Sequence, residues 1–438
     1  MTMFENLDIQ IAGGLDFALP QMAPVQQRFT SRPVADIPAA VAAQINRPEI
    51  AATIKPGARI AIGVGSRGVA NLAEITRATV AAIRRLGGDP FIFPAMGSHG
   101  GATAEGQAGV LAGYGVTEAG VGAPIRATMD TVLVTTMADG TRLFMDKYAH
   151  EADGVVLINR IKPHTDFKGA IESGIIKMLI IGMGKIQGAS VMHREHGMVH
   201  FAEALPPAAT ALLPEINFLF GLGLVEDGYE NTAIIEAITG DQLHQREVEL
   251  QAEAKQLMAR LPFPEIDVLI IERIGKDISG AGMDPNVIGR GSRASFGFTA
   301  PAITKIVALD LTEKTKGNAC GIGLADVTTA HLFNQIDWEY TYANVIASAY
   351  LDAGAIPLVM TTEAAAIRLA VATVTRVKWA DLRIVHIRDT LTLDQMAVSA
   401  ALLPQVAAAE QLTQTGPLAD MQFQADGRLV PLHSAVTV

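Results

Sequence analysis

The segment from Leu157 to His200 contains four of the ten histidines of this chain, and one lysine, Lys177, inside an apolar run. His99 and His164 each follow a predicted strand, the position at which open α/β sheets bind ligands. Imidazoles at two neighbouring strand ends could act as acid and base on opposite sides of one carbon, because their pKa values lie near neutrality. Either histidine alone would more often be structural, whereas the pair favours catalysis.

Lys177 lies in the sequence IIKMLII. An amine among such neighbours is costly to keep charged, so burial should lower its pKa and raise its nucleophilicity at neutral pH. The alternative is a lysine whose stem packs on a helix while its ammonium group reaches water. Taken alone, the residue favours this alternative.

His193, His196 and His200 are spaced i, i+3 and i+7, so on one helix they would share a face. Such a face could bind a metal. The sequence HREH is not the HExxH zinc signature, however, and histidines at this spacing often line a cleft without binding anything.

A glycine-rich loop, GVGSRG, occupies positions 63–68 after a predicted strand and before a predicted helix. It matches the dinucleotide pattern GxGxxG, but the ribose-binding acid expected about 20 residues later is missing. A single phosphate bound by Arg67 and the start of the helix suits the loop better. A tight turn with a surface arginine is the alternative.

From residue 58 onward, apolar runs alternate with helical patterns, which predicts βαβ units and a parallel sheet. VLVTTMADGTRLFM predicts a hairpin with Asp139-Gly140 as its turn, and the tail MQFQADGRLVPL resembles a second, small hairpin. A long charged helix ends at Pro262 and Pro264, which marks a hinge. We therefore expect an α/β protein of two α/β lobes with mostly parallel sheets, residues 1–260 and 261–438, and an active-site cleft between them.

In the second lobe, Lys276, Asn286, Arg290 and Arg293 could reach a substrate carboxylate across this cleft. Solvated loop charges are the equally weighted alternative.

Composition narrows the class of protein. The chain has 438 residues and a formal charge of −11 without a block of Lys and Arg, which argues against a nucleic-acid partner. Its first residues lack the pattern of a secretory signal, and the longest apolar runs are interrupted by Lys177 or Arg368, so we expect a cytoplasmic protein without a membrane span. A single cysteine, Cys320, excludes internal disulfides and leaves metal binding to His, carboxylates or sulfur that a cofactor brings.

Several of these residues, taken in order, resemble the nickel-dependent lactate racemase family. They are Arg67 in a strand-to-helix loop, His99 in GSH, His164 in KPH, Lys177 at the end of SGIIK, and His193 sixteen residues later. No one of these motifs is decisive, but their order and spacing are fairly specific.

The resemblance implies a nickel pincer nucleotide, a pyridinium mononucleotide with two sulfur substituents, attached through a thioamide to Lys177. It implies that His193 is the protein ligand to nickel, and that His99 and His164 exchange the hydroxyl proton of a 2-hydroxy acid while the cofactor takes and returns a hydride. The implied reaction inverts the stereocentre, as in a racemase or epimerase.

The resemblance further implies that Arg67 binds phosphate or the substrate carboxylate and that Lys276 contributes from the second lobe. Gly65, Ser66 and Gly174 would contact the cofactor. The partners would be the small-molecule substrate and the cofactor-synthesis enzymes, and an oligomer is compatible with the sequence.

Three departures from the family lie where the substrate should bind. The family motif Asp-x-Thr-Arg-Pro is replaced by positions 64–68, VGSRG, the loop after His164 is about three residues longer, and Glu272-Arg273 replaces a Tyr-Gln pair. These departures argue against lactate more than against the cofactor. Two other functions stay open: a non-catalytic nucleotide or nickel carrier, and an NAD-dependent dehydrogenase that uses GVGSRG.

Overall fold

The computed structural model of the chain describes residue 4 and residues 14–65, 68–293, 295, 297–348 and 350–432. These residues form two compact units. Residues 30–258 form one unit, called here the inserted unit. Residues 14–29 and 259–432 form the other, called here the discontinuous unit.

The strands are β1 (Met22–Gln27), β2 (Arg59–Val64), β3 (Asp89–Pro94), β4 (Thr131–Thr136), β5 (Arg142–Asp146), β6 (Gly154–Arg160), β7 (Phe218–Glu226), β8 (Thr232–Ile238), β9 (Glu265–Ile274), β10 (Ala302–Leu311), β11 (Val327–Thr329), β12 (Leu358–Met360), β13 (Ile384–Ile387), β14 (Gln395–Ser399) and β15 (Leu412–Gln414).

The helices are α1 (Ile37–Ile45), α2 (Pro48–Ala51), α3 (Leu72–Arg85), α4 (Ala104–Gly113), α5 (Glu118–Val121), α6 (Lys147–His150), α7 (Ile175–Lys177), α8 (Lys185–His196), α9 (Phe201–Leu212), α10 (Leu243–Leu257), α11 (Pro285–Ile288), α12 (Ala330–Asn334), α13 (Trp338–Ser348), α14 (Glu363–Ala372) and α15 (Leu403–Ala408). A π-helical turn, Met178–Gly182, continues α7.

The inserted unit has a five-stranded sheet in the order β3-β2-β6-β7-β8. The first four strands are parallel and β8 is antiparallel. The predicted βαβ unit is confirmed, with α3 connecting β2 to β3. Ile60 and Ile62 of β2 pack into one core with α3, while Ala61 packs into another core with Ile175 and Leu179. The strands read as continuous apolar runs because both faces of the sheet are covered.

The hairpin predicted around Asp139-Gly140 is confirmed as the antiparallel pair β4–β5. A buried ion pair connects this hairpin to α8. Asp146 Oδ2 and Lys185 Nζ lie 3.0 Å apart, and both side chains are fully buried. Lys185 also donates to the carbonyl of Pro94 and to Oε1 of Gln107. Burial raises the pKa of Asp146 and lowers that of Lys185, and the charge of each partner acts in the opposite sense.

The discontinuous unit has an eight-stranded sheet in the order β12-β11-β10-β9-β13-β14-β1-β15. The strands from β12 to β13 are parallel, and β1 pairs antiparallel with both β14 and β15. Through this pairing residues 14–29 belong to the discontinuous unit, whereas the sequence predicted them in one lobe with residues 30–260. The predicted terminal hairpin is confirmed by the antiparallel bridge between Phe423 and Leu429. Both sheets are mostly parallel, so the predicted α/β class is confirmed.

The long charged helix is confirmed as α10, and the boundary between the units follows it directly, at residues 258 and 259. Its buried face packs within the inserted unit. Among the described residues no single helix is long and apolar enough to cross a membrane. The bent pair Ile175–Gly182 and Lys185–His196 has the length and composition of a membrane span. Its first helix, however, contributes Ile175, Ile176 and Leu179 to a buried core.

Replacing Lys185 by Met should lower the free energy of unfolding by about 3–5 kcal/mol, because it leaves a buried carboxylate without its cation. Denaturant titration measures this loss. The double variant Lys185→Met, Asp146→Leu should recover part of it, since no buried charge is left. A loss below about 1 kcal/mol in the single variant would show that the pair is not a buried ion pair in solution.

Candidate active site

The predicted site residues of the inserted unit lie at the carboxyl edge of its sheet. Gly65 follows β2, His99 follows the end of β3, and His164 follows the end of β6. Parallel strands end at the same edge, so the three loops start side by side. The sequence predicted that the two histidines follow adjacent strands. This prediction is wrong, because β2 lies between β3 and β6.

The loop after β6 is organised around one buried carboxylate. Glu172 is fully buried and accepts from the backbone N–H groups of His164, at 2.8 Å, and Gly169, at 3.1 Å. Lys255 Nζ of α10 lies 2.6 Å from its Oε1 and donates to the Gly169 carbonyl at 2.7 Å. These contacts fix the backbone of His164.

The helix that carries Lys177 begins against a second buried acid. Glu247 of α10 is fully buried and accepts from the N–H of Ile176 at 3.0 Å. Burial raises the pKa of Glu247 to about 8, although the N–H groups at the start of α7 act in the opposite direction. A Cβ on Gly174 would lie 2.5 Å from Glu247 Oε1, so glycine permits this approach. Contact of Gly174 with a cofactor stays a prediction.

His164 and Lys177 are in direct contact. Nε2 of His164 and Nζ of Lys177 form a hydrogen bond, and the backbone N–H of Asp166 donates to His164 Nδ1 at 3.1 Å. The ring of Phe167 stacks on His164 with centroids 4.3 Å apart, and Lys177 Nζ lies 5.7 Å from the centroid of Phe167. Two residues that are thirteen positions apart in sequence therefore form one polar pair on an aromatic surface.

His193 belongs to the same cluster. Its ring lies 4.9 Å from that of Phe201, which in turn packs edge-on against Phe167 at 5.9 Å. Burial and, to a lesser extent, the positive charge of Lys177 lower the pKa of His193. His193 is therefore biased towards the neutral imidazole that coordinates metals.

His196 and His200 have other surroundings. The His196 ring contacts Thr141 Oγ1 of the hairpin at 3.0 Å, and exposed His200 lies 3.6 Å from Glu203. The expected helical face is interrupted, because α8 ends at His196 and Gly197 follows with φ +67°. Neither ring joins the cluster around Lys177.

The loop that carries His99 packs on the segment after Lys177. Gly97 N–H donates to the Gly182 carbonyl at 3.1 Å. Gln107 Nε2 donates to the carbonyls of Gly97, at 2.8 Å, and His99, at 3.2 Å. The backbone of this loop is thereby held, while the His99 side chain is exposed.

The glycine-rich loop also approaches the lysine segment. A Cβ on Gly65 would lie 3.0 Å from the Met178 methyl group. Helix α3 begins four residues beyond Gly68 and not within the motif, unlike a dinucleotide fingerprint. Ser66 and Arg67 lie outside the described residues, so their cofactor and phosphate contacts stay predictions.

The second-lobe candidates have local partners within the discontinuous unit. The Lys276 amine donates to the Gly280 carbonyl at 2.7 Å, and Arg290 forms an ion pair with Asp326 at 2.8 Å. Asn286 is buried and bonds Asp284. These contacts favour a structural role for Arg290 and Asn286, and a substrate role for Lys276 stays a prediction.

A cavity of about 580 Å³ lies at the carboxyl ends of β9 and β10 in the discontinuous unit. Glu272, Arg273, Asp310 and Arg388 are among its lining residues. Glu363 also lines this cavity, and its burial raises the pKa of its carboxyl group to about 7. The strand order reverses at β9, and ligands of α/β sheets bind at such a point.

The sequence motifs do not include the residues that position the cluster around Lys177. Glu172, Glu247, Lys255, Phe167 and Phe201 hold or surround the predicted residues. One signal was present for Glu247, which interrupts the apolar stripe of α10 formed by Leu243, Leu250, Ala254 and Leu257.

No protein-family model matches the chain, and no curated protein matches it. Among solved structures, it is similar to the lactate racemase apoprotein from Thermoanaerobacterium thermosaccharolyticum, with 14% identity and a TM-score of 0.45 over 83% of this chain and 84% of that chain. It is also similar to a protein from Thermotoga maritima, with 12% identity and a TM-score of 0.42 over 64% of this chain and 72% of that chain.

Replacing Glu247 by Gln should weaken the pH dependence of stability. Between pH 4.5 and about 8 the unfolded chain releases the proton of Glu247 while the folded protein keeps it, so stability falls as pH rises through this range. The variant lacks this contribution, and its free energy of unfolding should fall less between pH 5 and pH 8. Denaturant titrations at several pH values measure the difference. Equal pH slopes in both proteins would contradict it, and exposed Glu203→Gln is the control.

Replacing Lys177 by Met should raise the pKa of His193 towards 6.5, because a nearby positive charge is removed while the burial remains. NMR titration of the imidazole measures the change. Exposed Lys55→Met, before the start of β2 and so at the opposite edge of the same sheet, should leave the pKa of His193 unchanged. A fall in the pKa of His193 would contradict the proximity of the two residues.

Proposed function

We propose that this chain is a racemase or epimerase of a 2-hydroxy acid that depends on a nickel pincer nucleotide attached to Lys177. The observation that carries the proposal is the contact of the Lys177 amine with His164, with His193 beside them across the Phe167–Phe201 pair. An amine for attachment, an acid/base group and a nitrogen ligand thus occur together.

The available donors fit such a cofactor. Among the described residues no group of three or more His, Cys, Asp or Glu side chains could hold a metal ion. His193 offers a single nitrogen ligand, so a nickel ion would need the sulfur donors that a pincer nucleotide brings. When bound, this group supplies a reversible hydride acceptor for the α-carbon of the substrate.

The two histidines account for the proton of the substrate hydroxyl. His164 Nδ1 accepts from the Asp166 N–H, which orients the ring so that Nε2 faces the Lys177 amine. His99 starts from the strand on the other side of β2, which supports proton exchange from two sides of one substrate. One histidine would take the proton from one enantiomer, and the other histidine from its mirror image.

The remaining predicted site residues would bind the cofactor or the substrate. Gly65, Ser66 and Gly174 would contact the nucleotide, Arg67 would bind its phosphate or the substrate carboxylate, and Lys276 would contact the substrate. Glu272 and Arg273 replace the Tyr-Gln pair of lactate racemases with two charged residues. This supports a substrate that is more polar than lactate.

The proposal predicts a covalent adduct at Lys177 when the chain is produced together with the cofactor-synthesis enzymes. Intact-mass measurement should show the added nucleotide on the parent and on His196→Gln, and none on Lys177→Arg. The loaded parent should invert at least one acid of a 2-hydroxy-acid panel, as read by chiral chromatography. His164→Gln should keep the adduct and lose activity by about 100-fold or more.

An adduct that also forms on Lys177→Arg, or no adduct on the parent, would overturn the proposal. An adduct without turnover on any acid would identify a nucleotide or nickel carrier instead. Saturable NAD binding that is weakened by substitution of Gly65 would identify the dehydrogenase.

A further inference from the structure

Helix α10 lies outside every motif that predicted the site, yet it contacts both segments that carry His164 and Lys177. We propose that Glu247 and Lys255 of α10 are positioning residues that set His164 and Lys177 relative to one another. The catalytic consequence rests on the function proposed above, whereas the positioning itself concerns only this chain.

Glu247 fixes the start of the lysine helix. The first N–H groups of a helix have no partner within the helix, and a buried one without any partner is costly. The Glu247 carboxyl group accepts from Ile176 at 3.0 Å, with no exposure to water. Gly174 leaves room for this contact, and its carbonyl is held by Asn159 Nδ2 at 2.7 Å. The direction in which Lys177 leaves the backbone is set by this cap.

Lys255 fixes the histidine loop through Glu172. Its Nζ lies 2.6 Å from the Glu172 carboxylate and 2.7 Å from the Gly169 carbonyl. Glu172 in turn accepts from the N–H of His164 at 2.8 Å. Lys168 is a second cation for Glu172, but it is more distant, at 3.6 Å. Lys255 therefore connects α10 to the backbone of His164 through one intervening side chain.

Both contacts are made by side chains of the same helix, α10. Glu247 and Lys255 are eight residues apart, which is about 12 Å along a helix. The segment between His164 and Lys177 is thus held near both ends by the same helix, and the contact between the two side chains spans the held ends. A change at either position of α10 should alter the Lys177–His164 contact, because the two positions hold the backbone on either side of it.

The test uses the full chain without cofactor or substrate. Hydrogen exchange and the rate of Lys177 acetylation by a water-soluble acetylating reagent are measured by peptide mass spectrometry. In Glu247→Met the amides of Ile175 and Ile176 should exchange about ten-fold faster, and in Lys255→Met those of His164 and Gly169 should do so. Lys177 should be acetylated faster in both variants, because its amine leaves a half-buried position.

Glu247→Gln and Lys255→Arg keep an acceptor and a cation, and should restore near-parent values. Gln251→Leu is the matched control, since Gln251 lies one turn from Glu247, is also buried, and its amide has no hydrogen-bond partner among the residues that the structure describes. In Glu247→Met, Lys255→Met the increase in acetylation should fall short of the product of the single effects, because both act on one contact.

An unchanged or slower acetylation of Lys177 in Lys255→Met would overturn the proposal, and this half-exposed position keeps the test valid if Glu247→Met does not fold. An equal effect of Gln251→Leu would also overturn it. Either outcome leaves the proposed function untouched, since no step of the test requires cofactor or turnover.

Discussion

The buried carboxylate of Glu172 determines how the loop after β6 can fold. A charge without solvent contact must be neutralised and hydrogen-bonded by the protein, and here the donors are two backbone N–H groups and the amines of Lys168 and Lys255. These donors come from the loop itself and from α10. The loop can therefore close only when α10 is in place, and the contact of His164 with Lys177 depends on that closure.

Features set by local sequence could be predicted. Strand β2, helix α3 and strand β3 follow from apolar periodicity, and the hairpin follows from Asp139-Gly140, because these elements are encoded by neighbours along the chain. The positions of His99 and His164 after strands also followed from local pattern. Their relative placement did not, since the order β3-β2-β6 is decided by long-range pairing.

The contacts that complete the site are non-local in the same sense. Glu247 is recognisable as an acid in an apolar stripe, but its partner at Ile176 lies about 70 residues earlier. Phe167 and Phe201 read as ordinary core residues, because aromatic side chains are abundant in cores and nothing in their neighbourhood marks a histidine partner. The proline-marked end of α10 can be read from the sequence, whereas the contacts of its buried face involve residues far away along the chain.

Strand β1 has a consequence for the order of assembly during synthesis. It precedes the inserted unit in the chain, but its partners β14 and β15 follow that unit, at residues 395–414. The inserted unit is continuous and is synthesised completely before those partners exist. Until β14 and β15 emerge, β1 cannot form its pairs in the eight-stranded sheet, so this sheet is completed after the inserted unit. Residues 30–258 can thus complete their contacts on the ribosome, whereas the discontinuous unit must join the segments on either side of them.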